Sequence, residues 1–476
     1  MLLWALGLTL LSYYLLFYVA HALNLGFYPY DFDQGEGYDV NGGWLLAQGR
    51  PIYSDNTVFP YYSSNYPPVF SLLLAPLVAI YGPALATGRL LSAAAGLATA
   101  ALVGAIVNRQ TANRPAALTA GLLYVGSNYV YHVTPLARVN ALAALFAAAG
   151  LYCCLRSGLG WLGGAVAAFL LALFTKQTTV DAVAAGLLFL LSRDRRSGLV
   201  ASAAVGLIGL LLWLALDLAS GGEFFVNVVI GNVNPFSIGQ AFGYYRNFVE
   251  LHGVLLVLAA WQALRAFRLQ EWGPFELYWL LALGLAVSVG KWGAGESYFL
   301  APIAASCVLA GSTFANGLRE SRRPRLIGAL GALVFLQAAL FAHGPLNSVA
   351  PFLVDRGAQA SFLGREPGGE GEVGARLVKR LRKAHGPILV EDPGFSLAAG
   401  KEVVGNATHL RNLQQAGAWR PDNLVADLAA RRFSYVVLDA ELYPEPVLEA
   451  IGRYYFLFEE YQVNGTRQKV FAPGAR

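Results

Sequence analysis

Between positions 23 and 83 five carboxylates, Asp31, Asp33, Glu36, Asp39 and Asp55, are interleaved with Tyr28, Tyr30, Tyr38, Trp44, Tyr53, Tyr61, Tyr62 and Tyr66. A carboxylate can deprotonate a hydroxyl or hold a divalent cation. Aromatic rings can cover the apolar faces of sugars. The plainer reading is a solvated loop with an interfacial aromatic belt, and composition alone does not separate the two. Further along, Arg138, Lys176 and Lys291 sit at the ends of apolar runs. Cations beside a bilayer are costly and commonly functional, or else they snorkel to the headgroups. Asn232-Val233-Asn234-Pro235 offers amides that could bind sugar hydroxyls, and it is equally a turn signal. His residues show no metal-ligand spacing, and neither a P-loop nor a dinucleotide fingerprint is present.

The elements that must position these groups are apolar helices. The chain has 476 residues, is 56% hydrophobic and only 13% charged, and has a mean hydropathy of +0.49. Soluble domains carry about 25% charged residues. The deficit is uneven: 14 of 29 acidic residues fall in positions 1–343 and 15 in the last 133. Long apolar runs exclude a soluble enzyme, a disordered chain and a transmembrane β-barrel. We count eleven candidate spans, about 2–22, 84–106, 115–133, 138–155, 160–175, 178–192, 198–218, 248–267, 275–290, 296–316 and 326–343. Cys153, Cys154 and Cys307 lie inside such runs and read as packing residues.

Charge sets the expected orientation. Twelve Arg residues, from Arg109 to Arg325, lie in alternate short loops, against six Lys or Arg in the opposite ones. The side with twelve is expected to be cytoplasmic. The N-terminus is then cytoplasmic, while loop 23–83, the shorter loop 219–247 and the tail lie outside. The formal charge of +5 therefore reflects membrane orientation and not a nucleic-acid surface. From 344 to 476 strand-like and helical stretches alternate, with a linker over 364–374 and a hairpin around Asn464-Gly465. The expected architecture is an all-α polytopic membrane domain over 1–343 followed by a small extracytoplasmic α/β domain. The tail is expected to cap the site or bind acceptor. Asn406-Ala407-Thr408 and Asn464-Gly465-Thr466 match the glycosylation sequon, a match expected by chance.

One succession of motifs is more specific than any single one. From Asp33 the chain reads D-Q-G-E-G, then W-L-L-A-Q-G-R-P-I-Y, N-Y-P-P, L-L-L-A-P-L-V-A-I-Y-G-P-A and G-R-L-L-S. TPLARVNALAALFAAAGLY, LALFTKQT, FFVNVVIGNVNPF and VGKWGAGESYFLAPIAASCVLAG follow in order. Over about residues 1–345 this resembles the GT-C superfamily of polytopic glycosyltransferases, in particular bacterial Rgt-type and protein-mannosyltransferase-like enzymes. The resemblance implies transfer of a hexose or pentose from a polyprenyl phosphate to a lipid, glycan or protein acceptor, with inversion, on the non-cytoplasmic face of the cell membrane. It also implies a catalytic acidic residue in the first outside loop. Glu36 and Asp33 match that position as catalytic carboxylates, and either could be the base, because the family's Asp-Glu pair is here Asp33-Gln34-Gly35-Glu36. The same two would hold Mg²⁺ or Mn²⁺ if a divalent cation is used. Arg138, Lys176, Lys291 and Arg89 are the expected donor-phosphate contacts, and Tyr38, Tyr66, Asn234 and Glu296 the expected substrate contacts. Arg89 could equally be a structural clamp, and Glu296 could compensate a helix dipole. On this reading Glu36→Gln abolishes transfer yet still folds. The alternative is a transporter or lipid flippase, which commonly shows internal repeats that this sequence lacks.

Overall fold

The computed structural model describes residues 2–320, 324–341, 367–463 and 465–474. The expected domain boundary at 343/344, the first part of linker 364–374, Arg322 and Arg323 of the last basic loop, and Asn464 lie outside the described residues.

The N-terminal part is built from α-helices: α1 (Leu2–Phe27), α2 (Gly35–Ala47), α3 (Val69–Tyr81), α4 (Leu85–Thr111), α5 (Arg114–Gly126), α6 (Asn128–Val133), α7 (Asn140–Cys154), α8 (Leu159–Leu173), α9 (Val180–Arg193), α10 (Arg195–Ala219), α11 (Glu223–Val228), α12 (Ile238–Arg268), α13 (Pro274–Leu285), α14 (Leu300–Glu320) and α15 (Pro324–Phe341). Among the described residues, five segments are long and apolar enough to cross a membrane: Leu2–Phe27, Leu85–Thr111, Arg195–Ala219, Ile238–Arg268 and Glu296–Arg319. The other six expected spans are shorter helices. The span expected over 115–133 is broken at Ser127, whose extended backbone separates α5 from α6 while its hydroxyl lies 2.8 Å from His252 Nε2. Helices start where the sequence supplies caps: Asn113 accepts from the Ala116 amide, Asp194 from Arg196, and Ser237 from Gln240.

Small residues let the helices pack closely. A Cβ at Gly121 of α5 would stand 2.8 Å from the Ala100 carbonyl of α4. Between the helices Tyr14, Tyr18, Tyr124 and Tyr131 are fully buried, and Tyr18 shares a 2.7 Å hydrogen bond with Thr134.

The stretch 23–83 is not simply a loop. Four of its five carboxylates, Asp31, Asp33, Glu36 and Asp39, sit on and just before α2, and its apolar run 69–81 forms α3, which is too short to span. Leu72, Ile80 and Tyr81 on α3 are exposed.

The tail forms a four-stranded sheet in the order β1-β2-β4-β3, made from β1 (Ile388–Val390), β2 (Tyr435–Leu438), β3 (Tyr455–Val463) and β4 (Thr466–Pro473). β1 and β2 are parallel, while β4 is antiparallel to both β2 and β3. β3 and β4 form the hairpin expected near Gly465. Helices 367–382, 393–398, 407–415, 422–429 and 445–454 surround the sheet. Residues 367–374, read as linker, belong to the first of them.

Candidate active site

The connection from α1 to α2 is built around one buried ion pair. Glu36 and Arg89 are both fully buried and meet through two parallel bonds, Nε to Oε1 and Nη2 to Oε2, each 2.7 Å. Arg89 also donates to the carbonyls of Leu25, Tyr28 and Tyr30, at 2.7, 2.5 and 2.8 Å. A guanidinium has five N–H donors, and all five are used here. Glu36 in turn accepts from the amides of Ala137 at 2.8 Å, Phe32 at 2.9 Å and Asp33 at 3.3 Å. Burial by itself would raise the Glu36 carboxyl, but Arg89 and these amides together hold it below the usual range.

That clamp corrects two expectations. Arg89 has no donor left for a phosphate, and neither Glu36 nor Arg89 lines the large cavity described below. The expected metal pair does not fit a cation either. Glu36 is consumed by Arg89, and Asp33 is paired with Arg138 at 3.2 Å. Among the described residues, no three His, Cys, Asp or Glu side chains are grouped to hold a metal ion.

The clamp positions α2, whose Gly35, Tyr38 and Asp39 form part of one wall of a cavity of about 760 Å³ between the helical domain and the tail. Eight of the ten expected site residues line it: Asp33, Tyr38, Tyr66, Arg138, Lys176, Asn234, Lys291 and Glu296. Asp39, one helical turn after Glu36, lines it too, as do Asn140, Gln177 and His132. His132 is isolated in sequence and reads there as merely interfacial.

Arg138 lies between two carboxylates. Its Nη1 is 3.2 Å from Asp33 Oδ1 and its Nε 3.3 Å from Asp39 Oδ2, and Nη2 donates to the Tyr66 hydroxyl at 3.3 Å. It occupies the space over Gly35, where an added Cβ would come within 0.9 Å of Nη1. The glycine between Gln34 and Glu36 is thus a packing requirement. Lys176, in the connection between α8 and α9, is buried and held by neutral groups: it donates to Asn140 Oδ1 at 2.6 Å and lies 4.7 Å from the centre of the Tyr298 ring. No carboxylate lies within ion-pair distance of its Nζ among the described residues. Burial, with Arg138 adding repulsion, lowers its ammonium to about 7. Lys291 belongs to a strip that pairs with the 233–237 segment. Asn234 Nδ2 donates to Trp292 O at 2.8 Å, and Arg411 of the tail lies 4.8 Å from the Trp292 ring centre.

The tail completes the site. Asp31 accepts from the amides of Gly37 and Gly394, at 2.8 and 2.5 Å, and so joins α2 to the turn after β1. The Tyr38 hydroxyl donates to Glu391 O at 3.1 Å, which draws that ring into the interface between the two parts. A second junction joins Asn56, Asn227 and His409, with both Asn56 Nδ2 and His409 Nε2 within 2.8 Å of Asn227 Oδ1. Asn406 is buried and caps helix 407–415, so that sequon is structural.

The family described as dolichyl-phosphate-mannose-protein mannosyltransferase matches residues 65–218. No curated protein matches the chain significantly. In fold, the chain is similar to ArnT from Cupriavidus metallidurans bound to undecaprenyl phosphate. The TM-score is 0.63 at 15% identity, covering 98% of this chain and 100% of that one. The apo state of the same protein gives a TM-score of 0.62 at 15% identity, covering 98% and 99%. An Archaeoglobus fulgidus oligosaccharyltransferase tethered to an acceptor peptide gives 0.52 at 13% identity, covering 97% of this chain and 74% of that one. A match to the mannosyltransferase family over residues 65–218 is thus set within a fold similar to that of ArnT over nearly the whole of both chains.

Proposed function

We propose that the protein transfers a sugar from a polyprenyl-phosphate donor to an acceptor hydroxyl on the non-cytoplasmic side of the membrane, with inversion. The observation that carries this reading is Lys176, a cation buried in the cavity wall whose direct contacts are neutral, with no carboxylate in ion-pair contact among the described residues. A buried charge is costly unless an opposite charge meets it, so the wall is built for an anion. Lys291 lines the same cavity, whereas Arg138 already faces two carboxylates. A lipid phosphate leaves as a stable anion and needs charge stabilisation more than a proton donor. The attacking hydroxyl must lose its proton, and a first-loop carboxylate takes it. Undecaprenyl phosphate in the similar ArnT structure supports a polyprenyl-phosphate donor. The transporter alternative is not favoured.

In this reading the N-terminus is cytoplasmic, the tail extracytoplasmic, and the division into 1–343 and 344–476 separates the catalytic domain from its cap. The test is transfer from a panel of labelled polyprenyl-phosphate sugars to host membrane extract by the purified, membrane-embedded protein. Labelled product is expected from at least one donor. No transfer from any donor by folded protein that also fails to bind polyprenyl phosphate overturns the reading.

Two further outcomes are expected. Gly35→Ala forces Arg138 out of its place, so transfer is expected to fall at least about tenfold while the Glu36–Arg89 pair persists. Comparing initial rates with thermal unfolding separates that from global loss of structure. For pH, Lys176 holds a phosphate only as a cation, and its ammonium is lowered to about 7. Polyprenyl-phosphate affinity is therefore expected to weaken as pH rises from 6 to 9, with the fall displaced upward by the bound anion. Lys176→Arg, which stays charged, is expected to flatten that dependence in a binding titration.

A further inference from the structure

The first-loop carboxylates differ in what they have left to offer. Both Asp31 oxygens accept backbone amides, and both Glu36 oxygens are held by Arg89 and amides. Asp33 accepts from the Gly35 amide at 2.8 Å, pairs with Arg138, and has a side chain 48% exposed. It is therefore engaged by Arg138 and open to solvent. Asp39 is different: its side chain is 6% exposed, it lines the cavity, and Arg138 Nε at 3.3 Å is its ion-pair contact. Its Oδ2 accepts no hydrogen bond from the described residues.

We propose that Asp39, one turn beyond the Asp33–Glu36 motif, is the general base of the reaction, and that Arg138 positions it while Asp33 balances the charge of Arg138. This rests on the glycosyltransferase reading above. As the acceptor oxygen forms its bond to the anomeric carbon, its proton passes to the Asp39 carboxylate. The bond from that carbon to the phosphate oxygen breaks with its electron pair, so a phosphodiester monoanion becomes a phosphomonoester dianion. The charge lost by Asp39 is the charge the phosphate gains.

The groups facing Asp39 are Asp33 and Glu36 from its own segment, Arg138 from the 134–139 connection, Lys176 from the α8–α9 connection, and Tyr62 and Tyr66. Burial raises the Asp39 carboxyl to about 7 despite Arg138. A base of that strength is matched to operation near neutral pH.

The experiment compares wild type, Asp39→Asn, Asp39→Glu and Asp33→Asn as full-length protein, measuring transfer from the active donor and binding of polyprenyl phosphate. Asp39→Asn is expected to lower the transfer rate about 10²–10⁴-fold, the usual share of general-base catalysis, with binding changed less than about tenfold. Asp39→Glu should retain part of the activity, and Asp33→Asn should cost less than about tenfold. The wild-type rate should rise with pH through about 7, and Asp39→Asn should remove that limb. Transfer by Asp39→Asn within tenfold of wild type overturns the assignment, as does a larger loss in Asp33→Asn. No transfer by wild type from any donor overturns the glycosyltransferase reading, and this assignment with it.

Discussion

Glu36→Gln is expected to destabilise the protein by about 3–5 kcal/mol, the usual cost of breaking a buried ion pair from one side. The carboxylate accepts two bonds from Arg89 and three from the amides of Phe32, Asp33 and Ala137. A glutamine amide presents one oxygen where two are needed and turns an N–H toward other donors. Arg89 would stay buried and charged with no anion in contact. The pair also holds the start of α2 against α4 and the 134–139 connection, so its loss should loosen the cavity wall carrying Asp39 and Arg138. Thermal unfolding in one detergent of wild type, Glu36→Gln, Arg89→Met and the double variant Glu36→Leu/Arg89→Met measures this. The double variant should recover part of the loss, because apolar replacement removes the uncompensated charge. Recovery stays incomplete: the Leu25, Tyr28 and Tyr30 carbonyls lose their donor. If Glu36→Gln unfolds at the wild-type temperature, the clamp does not carry this structure. Sequence motifs alone point the other way, to a variant that folds and is merely inactive.

Lys176→Met separates function from stability in the opposite sense. Affinity for polyprenyl phosphate is expected to fall about 10²–10³-fold, corresponding to about 3–4 kcal/mol for a charge-assisted contact shielded from water. Stability without ligand should hold or rise, because the variant removes a buried cation whose direct contacts are the neutral Asn140 and the Tyr298 ring, with Asp39 and Asp181 only at longer range. A site that stores an unmatched charge is less stable than its apolar replacement, and binding is what recovers the difference. Direct binding of labelled polyprenyl phosphate and thermal unfolding on one preparation give both quantities. Wild-type affinity in Lys176→Met would remove Lys176 from the phosphate site and leave Lys291 as the cavity cation to examine.

The architecture was largely legible in the residues. Apolar runs, charge-poor composition and the return of ordinary charge density in the tail specify a helical membrane domain followed by a small soluble one. The hairpin at Gly465 and the caps at Asn113, Asp194 and Ser237 are local signals that the structure follows. The candidate site was legible as a set of residues, since Asp33, Arg138, Lys176, Lys291 and Asn234 converge on one cavity although they are spread over more than 250 positions. What stayed hidden was the role of each within that set. Nothing in D-Q-G-E-G distinguishes a carboxylate that faces a cavity from one sealed under an arginine 53 residues away. Asp39 was visible only as one acid among five, because a segment read as loop has no faces. Once 35–47 is a helix, Asp39 falls one turn from Glu36 and meets Arg138 from another connection.

The sequence by itself therefore determined the solvent each segment prefers, which stretches favour helix, and which chemically capable side chains the chain carries. These depend on hydropathy and on neighbours within a few positions. Only the tertiary structure decided which charges neutralise each other. It paired Glu36 with Arg89 and Arg138 with Asp33 and Asp39, and it left Lys176 in direct contact with neutral groups only. Pairing depends on distances of about 3 Å between residues far apart in the chain, and on burial, which sets how much an unmatched charge costs.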